Sequence, residues 1–224
     1  PEARARHEEA LRIRAALFGA DHPLMVDTEN ALALTLIEGG EAAAAVPHVE
    51  RALEIARKHY PPQSRELAMA LITYGRAMRY LARQDVSLRA YTEVIETQRQ
   101  MSKPEPELIH ALDARAVLPM LNQRNELALQ DYLEELAVRD AMLGPEHPDA
   151  LRGVIGVAQA MLRMERYADA LPYLERGYRM VVELGERAPE PRTANRIRYS
   201  LGKALVELGR DRERGFALVD EARA

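Results

Sequence analysis

The sequence has no cysteine and no tryptophan, and only two phenylalanines in 224 residues. Without cysteine there is no disulfide, no thiolate metal site and no cysteine nucleophile, so the fold must stand on packing, which fits a reducing compartment. No apolar run approaches the roughly 18 residues of a membrane span. The opening stretch, PEARARHEEALRIRAALFG, patterns as an amphipathic helix without a signal-peptide core. These absences point to a cytoplasmic protein with no membrane partner. The first residue is Pro rather than Met, and the chain is read as the C-terminal part of a longer protein. The formal net charge of only -4 gives no global electrostatic reason to bind nucleic acid or an anionic surface.

What is abundant is Ala, Leu, Arg and Glu, residues that lose little entropy in a helix. With 47% hydrophobic and 29% charged residues the chain can bury a substantial core, and an all-α fold follows. No strand-like alternation survives inspection.

Self-similarity fixes the organisation. Prolines recur at Pro23, Pro61 and Pro62, Pro104 and Pro106, Pro148, and Pro189 and Pro191, about 42 residues apart and each between helix-like stretches. A small residue recurs at Ala33, Gly75, Ala116, Ala158 and Gly202, with spacings of 42, 41, 42 and 44. Twelve residues after each come Ala45, Ser87, Ala128, Ala170 and Arg214, four of the five small. Two helix backbones approach closely only where side chains are short, with larger residues such as Leu36, Met78, Tyr91 and Leu174 filling the space around them. The periodicity predicts a lone helix at 2–17, followed by the pairs 24–38 with 42–58, 64–82 with 85–101, 105–121 with 125–142, 147–163 with 167–184, and 190–207 with 211–222.

The strings GADHP (19–23), GPEHPDA (144–150), ERALEIARK (50–58) and ERYADALPYLERGYRM (165–180) resemble the tetratricopeptide repeat, in its 42-residue form found in kinesin light chains and many bacterial proteins. Pro47 and Pro172 share a column where that family often carries proline. The resemblance implies one right-handed α-α superhelix of about 11 helices over residues 1–224: a half-repeat at 1–23 and repeats at about 24–65, 66–107, 108–149, 150–191 and 192–224. Ala10, Leu11 and Ile13 align with Ala52, Leu53 and Ile55, so the first helix reads as a second helix lacking its partner, with an apolar face open to self-association. Some residues depart from the pattern. Pro119 should kink helix 105–121 or end it early. Glu135 and Glu221 stand in alanine columns, which predicts a distorted third repeat, and Arg214 with its charged neighbours predicts a polar C-terminal cap.

Signatures of catalysis are missing. The six histidines form no paired metal spacing; His22 and His147 precede prolines in equivalent turns, and the repeat accounts for them better than a ligand role does. The serines make no nucleophile elbow, and Gly39 and Gly40 are placed to end a helix rather than to cradle phosphate. Carboxylates are spread over solvated faces within reach of arginines. The segment is read as a non-enzyme that needs no cofactor.

The resemblance also implies where a partner sits: the concave face lined by the first helix of each repeat. Its positions here are Asn30; Met69, Arg76, Arg79 and Tyr80; Met120; Arg152, Gln159 and Arg163; and Arg196, Tyr199 and Lys203, with Asp27, Glu38, Asp113 and Glu207 interspersed. The arginine fork suits carboxylates, which points to an extended, partly acidic protein or peptide, with Tyr and Met supplying apolar contact. The plain alternative is that these arginines only solvate the face or pair with Asp113 and Glu207. The chaperone-type carboxylate clamp is absent, because its positions hold Asn30, Leu34, Thr73, His110 and Ala114. The leading expectation is a protein-binding scaffold, which by resemblance could serve as the targeting arm of a bacterial serine/threonine kinase. The alternative is a peptide or small-ligand sensor that flexes at Pro119. Nucleic acid fits poorly because acids interrupt the basic face.

Overall fold

A computed structural model describes residues 2–121, 124–185 and 191–223, the side chains of 121 and 191 excepted. The turn expected at Pro189 and the expected helix start at residue 190 lie outside the described residues. Among the described residues there are eleven helices and no strand: α1 (Glu2–Phe18), α2 (Met25–Glu38), α3 (Ala42–His59), α4 (Arg65–Tyr80), α5 (Gln84–Gln98), α6 (Pro106–Leu121), α7 (Asn125–Leu143), α8 (Ala150–Arg163), α9 (Tyr167–Leu184), α10 (Pro191–Glu207) and α11 (Arg212–Glu221). The chain divides into two compact units, 1–115 and 116–224, with the boundary inside α6.

Two helix limits differ noticeably from expectation. Helix α8 begins at Ala150 rather than 147, because the backbone N–H of Ala150 is taken by the His147 carbonyl and that of Asp149 by His147 Nδ1 in the preceding turn. Helix α5 stops at Gln98. Pro104 and Pro106 bar helix in the residues before them, and the chain turns there instead.

In unit 1, α2 packs on α3 and α4 on α5, and α1 covers one side of α2. The small-residue column does what its spacing requires. Ala33 and Ala45 are fully buried, and Ser87 replaces a third alanine by donating its hydroxyl to the Gly75 carbonyl at 2.7 Å. A Cβ on Gly75 would stand 2.6 Å from the Tyr91 ring, so glycine is what lets that aromatic lie across α4. Burial there pushes the Tyr91 phenol up from its ordinary pKa.

In unit 2 one continuous core joins Ala116, Ala128, Ala158 and Ala170 with Leu151, Val154, Met161, Leu174, Leu201 and Leu218. The fifth repeat corrects the expected register. The close approach to Gly202 is made by Gly215, not Arg214: a Cβ on Gly202 would lie 2.5 Å from the Gly215 carbonyl oxygen. Arg214, one residue earlier, points to α9 and pairs with Glu175. Helix α11 buries Gly215 and Leu218.

The two sites expected to disturb the third repeat are absorbed locally. Helix α6 runs through Pro119 and is helical to Leu121, so the proline falls in its last turn. Helix α7 is unbroken although Glu135 is fully buried. The carboxylate pairs with Arg139 one turn on, and the facing helix α8 carries Gly153 where a Cβ would collide with Glu135.

Candidate functional site

The two helix layers treat charge differently. On the second helices, three arginines bridge to a neighbouring second helix. Arg57 of α3 reaches Glu93 of α5 at 3.1 Å, Arg176 of α9 grips Asp140 of α7 at 2.6 and 2.8 Å, and Arg214 of α11 grips Glu175 of α9 at 2.7 and 2.9 Å. Donating to the Asp140 and Glu175 carboxylates raises the Arg176 and Arg214 guanidinium pKa values above the ordinary one. These bridges join helices of successive repeats and act structurally.

On the first helices Arg65 pairs with Glu107 and Arg198 with Glu221, but several other cations do not pair. In unit 1, α4 presents Met69, Arg76 and Arg79 half-buried and Tyr80 61% exposed, with the Arg79 guanidinium carbon 5.0 Å from the Tyr80 ring centre. In unit 2, α8 and α10 present Arg163, Arg196 and Lys203 exposed, Tyr199 45% exposed and Gln159 half-buried. Lys203 Nζ lies 5.9 Å from the Tyr167 ring centre. Among the described residues, Arg76, Arg79, Arg163, Arg196 and Lys203 make no ion pair. Arg152 is exposed beside them but has an electrostatic or hydrogen-bonding neighbour. Two of the sequence-derived positions turn inward: Asn30 is only 8% exposed, with Oδ1 unbonded among the described residues, and half-buried Met120 packs against the unit 2 core.

The histidines take the turn role their spacing suggested. His22 Nδ1 accepts the Leu24 N–H, and His147 Nδ1 accepts that of Asp149, both at 3.2 Å. Each turn is also gripped by an arginine in the same repeat position, Arg51 on the Ala20 carbonyl and Arg176 on that of Pro145. Sequence reasoning missed this clamp, although both residues recur at one offset from the small column. It also missed the bond between His48 Nδ1 and Glu29 Oε2, 2.7 Å long, which ties α3 to α2. Among the described residues, no group of three or more His, Asp or Glu is placed to hold a metal, and no helix is long and apolar enough to cross a membrane.

The family model of the tetratricopeptide repeat matches residues 1–58 and 25–100. The chain folds as a tetratricopeptide-repeat domain. Solved structures agree with this across nearly all of its length. BtubC (BKLC) from P. vanneervenii superposes with a TM-score of 0.84 at 17% identity, over 99% of this chain and 87% of that one. A putative kinesin light chain of Podosopora anserina with nearly identical repeats gives 0.73 at 18% identity, over 90% and 95%. YrrB, described as having an unusual peptide-binding site, gives 0.58 at 12% identity, over 87% and 83%. A comparison with curated protein sequences returned no match. At these identities the neighbours establish the tetratricopeptide fold, an all-α helical repeat used typically as a non-catalytic scaffold for protein contacts.

Proposed function

We propose that this tetratricopeptide domain recruits a protein or extended, partly acidic peptide through the first-helix face of each unit. The observation that carries this is the contrast in pairing. Arg57, Arg176 and Arg214 of the second helices reach carboxylates on a neighbouring second helix, whereas Arg76 and Arg79 of α4 and Arg163, Arg196 and Lys203 of α8 and α10 make no ion pair among the described residues, and Arg79 lies over the exposed Tyr80 ring. Unpaired guanidinium groups next to aromatic faces favour carboxylate recognition, because the fork binds two oxygens while the ring supplies apolar area. Arg152 and Gln159 extend the polar surface on α8, and Met69 adds apolar contact on α4. A role as the targeting arm of an attached kinase rests on resemblance alone.

Affinity capture from source-cell lysate tests the proposal. The variants are Arg163→Glu with Arg196→Glu and Lys203→Glu in unit 2, and Arg76→Glu with Arg79→Glu in unit 1. A partner retained by the wild type and lost by variants of unchanged helicity supports the reading. Equal retention refutes it.

A second contact is proposed at α1, none of whose residues is buried and which leaves Ile13, Leu17 and Phe18 exposed. An apolar stripe of this kind favours pairing with a second copy. Sedimentation velocity should show concentration-dependent association that Leu17→Glu with Phe18→Glu removes. A wild-type chain that stays monomeric at every concentration contradicts it.

A further inference from the structure

The chain contains a template for a binding groove on its other face. Between α9 and α11 the groove is filled from within: Arg214 makes two hydrogen bonds to the Glu175 carboxylate and lies 5.5 Å from the centre of the Tyr178 ring. Between α3 and α5, inside unit 1, the corresponding groove is open. A cavity of about 650 Å³ lies there, whose lining includes Leu53, Leu71, Tyr74, Ala90, Glu50 and Val86 together with the charged Glu54, Arg57, Arg89 and Glu93 at its rim.

Register connects the two. Aligning the helices on the small residues that meet their first helices, Ala45 with Ala170 and Ser87 with Gly215, brings Glu50 onto Glu175 and Val86 onto Arg214. The carboxylate is therefore kept, while the arginine that covers it in unit 2 is replaced by a short apolar side chain. The neighbouring charges are already engaged: Arg57 with Glu93 at 3.1 Å, Arg89 with Asp85 at 3.0 Å and Glu54 with Arg51 at 2.5 Å. Glu50 is exposed and has neither hydrogen bond nor ion pair among the described residues.

We infer that the α3–α5 groove receives an arginine side chain from a partner protein, with Glu50 taking the guanidinium as Glu175 takes that of Arg214. Three features fit this occupant. The free carboxylate matches the guanidinium fork, Tyr74 lines the groove beside it, and buried Leu53, Leu71 and Ala90 floor the groove for an adjoining apolar residue. The partner segment is thus an arginine flanked by an aliphatic residue. This surface is separate from the first-helix face and stands or falls independently of it.

The test is a titration of the isotope-labelled full chain with the capped peptide Ala-Leu-Arg-Leu-Ala, followed by amide chemical shifts. A twin peptide carries citrulline, which keeps the shape and removes the charge. Shifts should centre on Glu50, Leu53, Tyr74 and Val86. Binding should weaken about tenfold with the citrulline twin and about tenfold with Glu50→Gln, the order expected when a charge-assisted hydrogen bond is lost. Val86→Arg should place an internal arginine on Glu50 and abolish binding. Equal binding of the two peptides would reveal a merely apolar groove and overturn the inference. So would shifts confined to another surface, or binding unaffected by Glu50→Gln.

Discussion

At the scale of single residues, the fold depends on a few positions where a side chain is missing. Gly75 is one: with the Tyr91 ring 2.6 Å from where its Cβ would lie, Gly75→Ala forces the ring or the helix aside. Overpacking of this kind should cost about 1–3 kcal/mol, read as a lowered midpoint in urea unfolding. Glu135 is another sensitive position, because its carboxylate is fully buried and pairs with Arg139. Glu135→Ala leaves the guanidinium buried with its partner removed and should cost about 3–5 kcal/mol, whereas Glu135→Leu combined with Arg139→Met should restore most of the loss. An unchanged midpoint in the single variant would show that the pair contributes nothing. The small-residue column was legible in sequence at nine of its ten positions. Arg214 was misplaced because a fixed count of twelve ignores one extra residue before α11, and only the packing of Gly202 on Gly215 reveals it.

At the scale of helices, the punctuation was legible because its causes are local. Proline-containing turns, histidine Nδ1 atoms accepting backbone N–H groups, and amphipathic spacing all act within a few residues. The bridges between second helices were not legible. They join residues 36 to 39 apart, and each depends on how one helix lies against the next. The Arg214 bridge secures the last helix, which has little other burial. Because both partners are partly exposed, Arg214→Ala should lower global stability by only about 1 kcal/mol. Its clearer signature is faster amide exchange confined to α11, and uniform exchange across unit 2 would contradict the assignment.

At the scale of the molecule, the sequence identified the all-α repeat and listed the first-helix positions, but it could not say which of their cations are spoken for. That depends on neighbours brought together only by folding. Asn30 and Met120 turned inward, Arg152 has a neighbour, and Arg76, Arg79, Arg163, Arg196 and Lys203 remained without ion pairs among the described residues. The central claim is that the first-helix cations of each unit mark a surface where a partner binds. Photo-crosslinking in source cells tests it most directly, with a benzoyl-phenylalanine placed at Tyr199 on the first-helix face or at Val182, an exposed residue of second helix α9. The account predicts a discrete protein adduct from position 199 that is absent from position 182. An adduct from 182 alone, or equal adducts from both, would contradict it.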